Sequence, residues 1–180
     1  ASFLFDVRDL WPSAAVALGE LSNEKIIKIA ERVERFLYDK AKAISAVTEG
    51  FIKYIVDLGI KSSKLYHIPN GTIPEIFDPS DIDLNLKVKL GLEVNFIVTF
   101  AGNHGLAQGL ETLIESAKQL KKQKDIVFFF IGEGPVKQNL INLKKEYQIS
   151  NVIFHKKVPL NEIAKYINMS DILLVPLKKD

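Results

Sequence analysis

Short, wholly apolar segments alternate with amphipathic helical segments along the second half of this 180-residue chain. Phe96–Ala101 and Ile126–Ile131 are apolar and rich in β-branched or aromatic residues, which indicates strands buried on both faces. Residues 110–120 between them repeat apolar side chains at helical spacing, and residues 152–154 and 172–175 continue the rhythm. The pattern predicts an α/β fold with a Rossmann-like parallel sheet flanked by helices.

The first part of the chain repeats this organisation less regularly. Strands are expected at residues 3–6, 43–47 and 65–68, with a long helix over residues 24–42 and a second over 49–58 that Thr48 can cap. Between residues 72 and 93 the pattern weakens and Pro and Asp accumulate, as is typical of a connection. We therefore predict two domains, with the first and its linker over residues 1–80 and the second over residues 81–180. We also expect the fold to be incomplete at both ends, as in an internal fragment.

Composition excludes several classes of function. The net charge is only +2 and the basic residues are spread along helices, so no nucleic-acid partner is expected. The chain has no cysteine, which excludes a disulfide framework, a Cys-ligated zinc site and a cysteine nucleophile. No apolar run reaches the roughly 18–20 residues that span a bilayer. We therefore expect a cytoplasmic protein.

Three glycines and a histidine lie where the first strand of the second domain turns into its helix. Gly102, Gly105 and Gly109 let a ligand approach the backbone closely, and the start of a helix attracts phosphate. Ligands of open α/β sheets bind at this end of the strands. We interpret the turn as a phosphate-binding loop, although a loop that needs glycine only for packing is the alternative. Its spacing matches neither the dinucleotide fingerprint nor the P-loop.

Other candidate residues are weaker. Glu133, between two glycines at the end of the second strand, could bind a ribose or could simply be an exposed turn residue that favours the following helix N-terminus. His67 lies in or beside a strand and is expected to be packed. Asp81 and Asp83 form a D-x-D pattern, but no buried strand precedes it, so we expect a solvated turn and predict no metal site.

Six motifs occur in order along nearly the whole chain. They are DVRDLWP (residues 6–12), VTEGF (47–51), IPNG (68–71), FAGNHGLAQGLE (100–111), IGEGP (131–135) and DILLVP (171–176). The ordered set resembles family 4 (group 1) glycosyltransferases of the GT-B fold, and within them the bacterial enzymes of O-antigen and capsule synthesis, including the fucosamine-transferase-like subgroup. The resemblance implies an amino-terminal domain that receives the acceptor and a carboxy-terminal domain that holds the donor.

By this resemblance the chain belongs to a retaining enzyme that moves a sugar from a nucleotide-sugar, expected to be UDP-linked, to a glycan or lipid-linked acceptor in surface polysaccharide synthesis. The donor is a substrate, so no cofactor is expected. The resemblance further implies that the enzyme acts in the cytoplasm at the inner face of the membrane. It would associate peripherally with that membrane through an amino-terminal half that is absent here. The alternatives are a non-catalytic GT-B-like interaction module and another nucleotide-binding enzyme, such as an epimerase or an oxidoreductase.

The expected donor-binding residues are Gly102, Asn103, His104, Gly105, Gln108, Gly109, Glu133 and Lys157. Many members of the family carry arginine after the first of these glycines and lysine before the last, and both contact the donor diphosphate. Here Asn103 and Gln108 stand at those positions, so fixed positive charge is missing. The turn holding Lys157 borders the nucleobase in the family, although an ordinary basic turn explains it equally well. The family's E-x7-E motif is expected beyond Asp180, so no catalytic residue is assigned and the fragment alone is expected to be inactive.

Overall fold

The computed structural model describes residues 2–178. The chain divides into two compact units, one ending at Thr72 and the other beginning at Ile73.

The first unit is a three-stranded parallel sheet with helices in its connections. Its elements are β1 (Leu4–Val7), α1 (Ser13–Ala17), α2 (Glu24–Lys40), β2 (Ala43–Ala46), α3 (Glu49–Asp57) and β3 (Leu65–His67), and the strand order is β1-β2-β3. Ile44, Ile55 and Tyr38 are at most 2% exposed and form the centre of its core. The predicted cap of α3 is confirmed, since the Thr48 hydroxyl accepts a hydrogen bond from the N–H of Phe51 at 3.2 Å.

The second unit is a doubly wound parallel sheet. Its elements are α4 (Leu84–Leu90), β4 (Phe96–Ala101), α5 (Glu111–Gln119), β5 (Ile126–Ile131), α6 (Lys137–Glu146), β6 (Val152–His155), α7 (Leu160–Asn168) and β7 (Ile172–Leu173). The strand order is β6-β5-β4-β7, and every pairing in it is parallel. The chain therefore runs from β4 outward to β6 and then returns to the far side of β4, which confirms the predicted Rossmann-like α/β fold.

Alternating side chains of β4 and β5 build two cores, one on each face of this sheet. Phe100 and Phe130 pack with Leu110 and Leu140 on the face that α5 and α6 cover. On the other face, Phe129 lies in a second core with residues of α4 and α7, including Leu90, Ile163 and Tyr166. Both faces are thus closed, which explains why these strands are apolar throughout.

The segment that the sequence assigns to a connection, residues 72–93, lies in the second unit except for Thr72. The Asn168 side chain, at the end of α7, donates hydrogen bonds to the carbonyls of Asp78 and Asp81 at 2.7 and 3.0 Å. Asp83 caps α4 by accepting from the N–H groups of Asn85 and Leu86. Whether the two units are the acceptor-side and donor-binding domains stays a prediction.

Among residues 2–178, no helix has both the length and the apolar character that crossing a membrane requires.

Candidate functional site

A cleft of about 560 Å³ lies at the carboxyl ends of β4, β5 and β6. Three turns form its wall, and the first turn of α7 closes one side. The residues that line it are Ala101, Gly102, Asn103, Ile131, Gly132, Glu133, Gly134, Lys157, Val158, Leu160 and Ile163. The cleft therefore occupies the end of the sheet where ligands of open α/β folds bind.

The turns after β4 and β5 are joined by backbone hydrogen bonds beyond the ends of their strands. The N–H of Gly102 donates to the carbonyl of Ile131 at 3.0 Å, the N–H of His104 to that of Glu133 at 2.9 Å, and the N–H of Val136 to that of His104 at 3.1 Å. These bonds hold the two turns together as one wall of the cleft.

Gly132 and Gly134 make this close approach feasible. Their φ angles are +139° and +158°, values that side-chain-bearing residues rarely adopt. A Cβ atom on Gly132 would overlap the carbonyl oxygen of Gly102, and one on Gly134 would overlap that of His104. The G-E-G sequence after β5 is therefore a packing requirement, which sequence reasoning did not identify.

Gly102 and Asn103 present exposed backbone and one amide side chain to the cleft. Within residues 2–178, the N–H groups of Asn103 and Gly105 have no hydrogen-bond partner. Free N–H groups in a turn after a strand are suited to an anion such as phosphate. Whether this part of the loop binds phosphate stays a prediction.

Glu133 and Lys157 also line the cleft. The Nζ of Lys137, in the first turn of α6, donates to the Glu133 carboxylate at 2.7 Å. This hydrogen bond holds the pKa of the Glu133 carboxyl below its usual range, and the backbone N–H of Lys157 contributes in the same direction. The cleft thus carries an ionised carboxylate on one wall and an exposed lysine on a neighbouring turn.

His104 does not face the cleft, which corrects the expectation that its imidazole meets the ligand. The side chain is 0% exposed and lies among the rings of Phe100, Phe130 and Phe154. Among the described residues, neither ring nitrogen finds a hydrogen-bond partner. Burial, reinforced by the charge of Lys137 and opposed by that of Glu133, lowers the pKa of the imidazole. Only the backbone of His104 contributes to the wall.

Gly105, Gln108 and Gly109 are likewise absent from the cleft lining. Gly105 is buried, and a Cβ atom there would lie 2.7 Å from Oε1 of Gln108. Gly109 has a φ of +56° and would bring a Cβ atom to 3.1 Å from the Cα of Lys178. This segment packs against the chain that follows β7, whose Lys178 N–H donates to the carbonyl of Ala107 at 2.8 Å.

The expectation for His67 is wrong. His67 is exposed rather than packed, because β3 is an edge strand whose last two residues are exposed. In the described part of the chain, no three His, Cys, Asp or Glu residues form a group that could hold a metal ion.

Lys137 is the site residue that sequence reasoning missed. It lies outside the glycine motifs, and its only sequence signal is the i, i+4 spacing from Glu133, which lies in the turn before α6. Its contacts tie together the turns that form the cleft.

Comparisons with known proteins agree with this architecture. Residues 84–180 match the sequence profile of the family described as "Glycosyl transferases group 1". Escherichia coli K12 WcaI, named for colanic acid biosynthesis, is 24% identical over 89% of this chain and 40% of its own length. The Pseudomonas aeruginosa glycosyltransferase WbjE is 26% identical over 96% of this chain and 44% of its own. The chain thus spans less than half the length of these relatives.

A solved structure shares the fold. Anabaena HepE, crystallised in complex with UDP and glucose, superposes with a TM-score of 0.76 over 96% of this chain and 45% of HepE, at 16% sequence identity.

Proposed function

Because the chain belongs to the group 1 glycosyl transferases, we propose that its second unit binds the nucleotide part of a nucleotide-sugar donor. The observation that carries this proposal is the cleft at the carboxyl ends of β4, β5 and β6, in which the backbone of Gly102 and Asn103 is exposed. The phosphates would lie over these two residues and accept a hydrogen bond from the free N–H group of Asn103.

The donor is proposed to be UDP-linked, and the UDP complex of the structurally similar HepE supports this choice. The complete protein would transfer the sugar with retention to a glycan or lipid-linked acceptor in surface polysaccharide synthesis, in line with the names of its relatives. The reaction would take place in the cytoplasm, at the inner face of a membrane when the acceptor carries a lipid.

Fixed cations are scarce at the proposed phosphate position, since Asn103 stands where many relatives carry arginine. Stabilisation of the leaving diphosphate would therefore depend on backbone N–H groups and on the Asn103 amide. Lys157 is exposed on a neighbouring turn of the cleft and would add a positive charge close to the nucleotide.

The test is a binding experiment in which the 180-residue protein is titrated separately with UDP and with NAD⁺. NAD⁺ is the cofactor that the alternative enzyme, a dehydrogenase, would bind. UDP is expected to bind, and NAD⁺ is not, because the loop lacks the dinucleotide spacing. Ligand-observed NMR suits this measurement because it detects millimolar affinities. Binding of NAD⁺ in preference to UDP would contradict the proposal.

Asn103→Asp is expected to weaken UDP binding by at least about tenfold, because it places a carboxylate beside the phosphates without changing the shape of the side chain. The matched control is Asn142→Asp, on the exposed surface of α6, where the Asn142 side chain accepts a hydrogen bond from Gln138 that a carboxylate can also accept. This control changes the net charge equally and should leave UDP affinity within about twofold. Equal effects of the two substitutions would show that the phosphates do not lie at Asn103.

A further inference from the structure

Gln108 carries a buried polar atom without a partner. Its Oε1 is shielded from solvent and, among residues 2–178, accepts no hydrogen bond. Buried carbonyl oxygens are normally paired, because an unpaired one destabilises the fold. Gln108 ends a short 3₁₀ helix, Leu106–Gln108, in the glycine-rich segment before α5. A free acceptor at the predicted phosphate loop therefore indicates a donor that engages it when a ligand is bound.

The side chain of Asn103 lies beside this oxygen. Both side chains border Gly105, since a Cβ atom built there would lie 2.7 Å from Oε1 of Gln108 and 2.8 Å from Nδ2 of Asn103. The oxygen and the nitrogen are therefore no farther apart than the sum of these two distances. One accepts and the other donates, so rotation of the two side chains can join them in a hydrogen bond.

Gly105 keeps the space in which the two amides meet. Its φ of −99° is accessible to any residue, so backbone conformation does not require glycine here. The missing side chain is what matters, because a Cβ atom would lie too close to both amides. Asn103, Gly105 and Gln108 thus form one arrangement of a donor, a gap and an acceptor.

This arrangement determines which end of the Asn103 amide faces a ligand in the cleft. The amide oxygen would repel a phosphate, whereas the NH₂ group can donate to it. Because the oxygen of Gln108 can only accept, it selects the orientation in which Nδ2 of Asn103 is turned towards it. Nδ2 has two N–H bonds, so one remains for a ligand in the cleft that Asn103 lines.

We propose that Gln108 is a positioning residue, which accepts a hydrogen bond from the Asn103 side chain and so directs the second N–H of that amide to a phosphate of the bound nucleotide. The inference rests on the proposed nucleotide site. Gln108 does not line the cleft and makes no contact with the ligand. A neutral donor in a fixed orientation then acts where many relatives use a charge.

The experiment measures UDP affinity of the 180-residue protein and its variants by ligand-observed NMR. Asn103→Ala removes the donor and is expected to weaken UDP binding about tenfold. Gln108→Leu removes the acceptor and keeps the approximate size of the side chain, and we expect a loss of about fivefold. The double variant should bind UDP as Asn103→Ala does, because both changes remove the same interaction.

Thermal unfolding of the same variants separates positioning from a structural role. Gln108→Leu removes a buried unpaired oxygen, so its unfolding temperature should be unchanged or higher while its UDP affinity falls. Gly105→Ala fills the gap between the amides and should weaken UDP binding as Gln108→Leu does. The matched control is Gln119→Leu, at an exposed position in the last turn of α5, which should keep UDP affinity within about twofold.

Four results would overturn the inference. If Gln108→Leu unfolds at a lower temperature, its amide has a structural role. If Gln108→Leu keeps the UDP affinity, Gln108 does not orient Asn103, although the nucleotide site stands. If the losses of the two single variants multiply in the double variant, the two residues act independently. If UDP does not bind even to the unsubstituted protein, the proposed function fails and this inference fails with it.

Discussion

Gly132→Ala is expected to lower the free energy of unfolding of the second unit by about 3–5 kcal/mol. Two costs combine at this position. The φ angle of +139° is unfavourable for any residue with a Cβ atom, and that atom would overlap the Gly102 carbonyl oxygen. The turn after β5 must then move away from the turn after β4, which breaks the backbone bond from His104 to Glu133. Chemical denaturation followed by circular dichroism measures the loss.

Gly91→Ala is the matched control in the same unit. Gly91 ends α4 with a φ of +67°, but nothing lies within 4 Å of the Cβ position. Alanine there should lower the free energy of unfolding only through the strain of the left-handed conformation, which is about 1 kcal/mol. The difference between the two variants therefore measures the clash with Gly102 together with the additional backbone strain at a φ of +139°. Equal losses would mean that the two turns are not in contact as described, and the cleft wall would need another explanation.

The two central strands of the second unit, β4 and β5, were predictable because each is buried on both faces. Burial of both faces leaves no position for a polar residue, so Phe96–Ala101 and Ile126–Ile131 stand out from the sequence and have the predicted limits. β7 is shorter than predicted, at Ile172–Leu173, and within the part of the chain that the structure describes it pairs with β4 alone. An apolar run alone does not reveal where pairing stops.

The candidate site was predictable only in part. Composition and position in the fold identified the turns that line the cleft, including Asn103 and Glu133. The roles of the two histidines are the reverse of the prediction, since His67 is exposed and His104 is buried. Which way a loop side chain points depends on contacts with distant residues, here Phe130 and Phe154, and local sequence contains no signal for it.

Lys137 escaped prediction for a related reason. Two of its three acceptors are backbone carbonyls, and one of these belongs to His155, which is far away in sequence. Carbonyl groups are present at every residue, so no residue type marks such a contact in advance. The glycines of the G-E-G turn were visible in the sequence, but their function in packing against the preceding turn required the fold.

His104→Phe is expected to stabilise the protein by about 1–3 kcal/mol at neutral pH, because the imidazole is buried with two unpaired ring nitrogens. Phenylalanine has a similar planar shape and suits the surrounding rings of Phe100, Phe130 and Phe154. The same substitution at the exposed His67 buries no polar group and should change the free energy of unfolding by less than about 0.5 kcal/mol. Denaturation at pH 7.5 compares the two variants.

His104→Phe should also change how the free energy of unfolding depends on pH. Because folding lowers the pKa of His104 below its ordinary value of about 6.5, the unfolded chain binds more protons once the pH falls below that value. The free energy of unfolding should therefore decrease from pH 6.5 downward by at most about 1.4 kcal/mol per pH unit, until the folded-state pKa is reached. His104→Phe should remove this part of the slope. If the variant is destabilised and keeps the full slope, then the imidazole is not buried in neutral form, and His104 becomes available to the ligand after all.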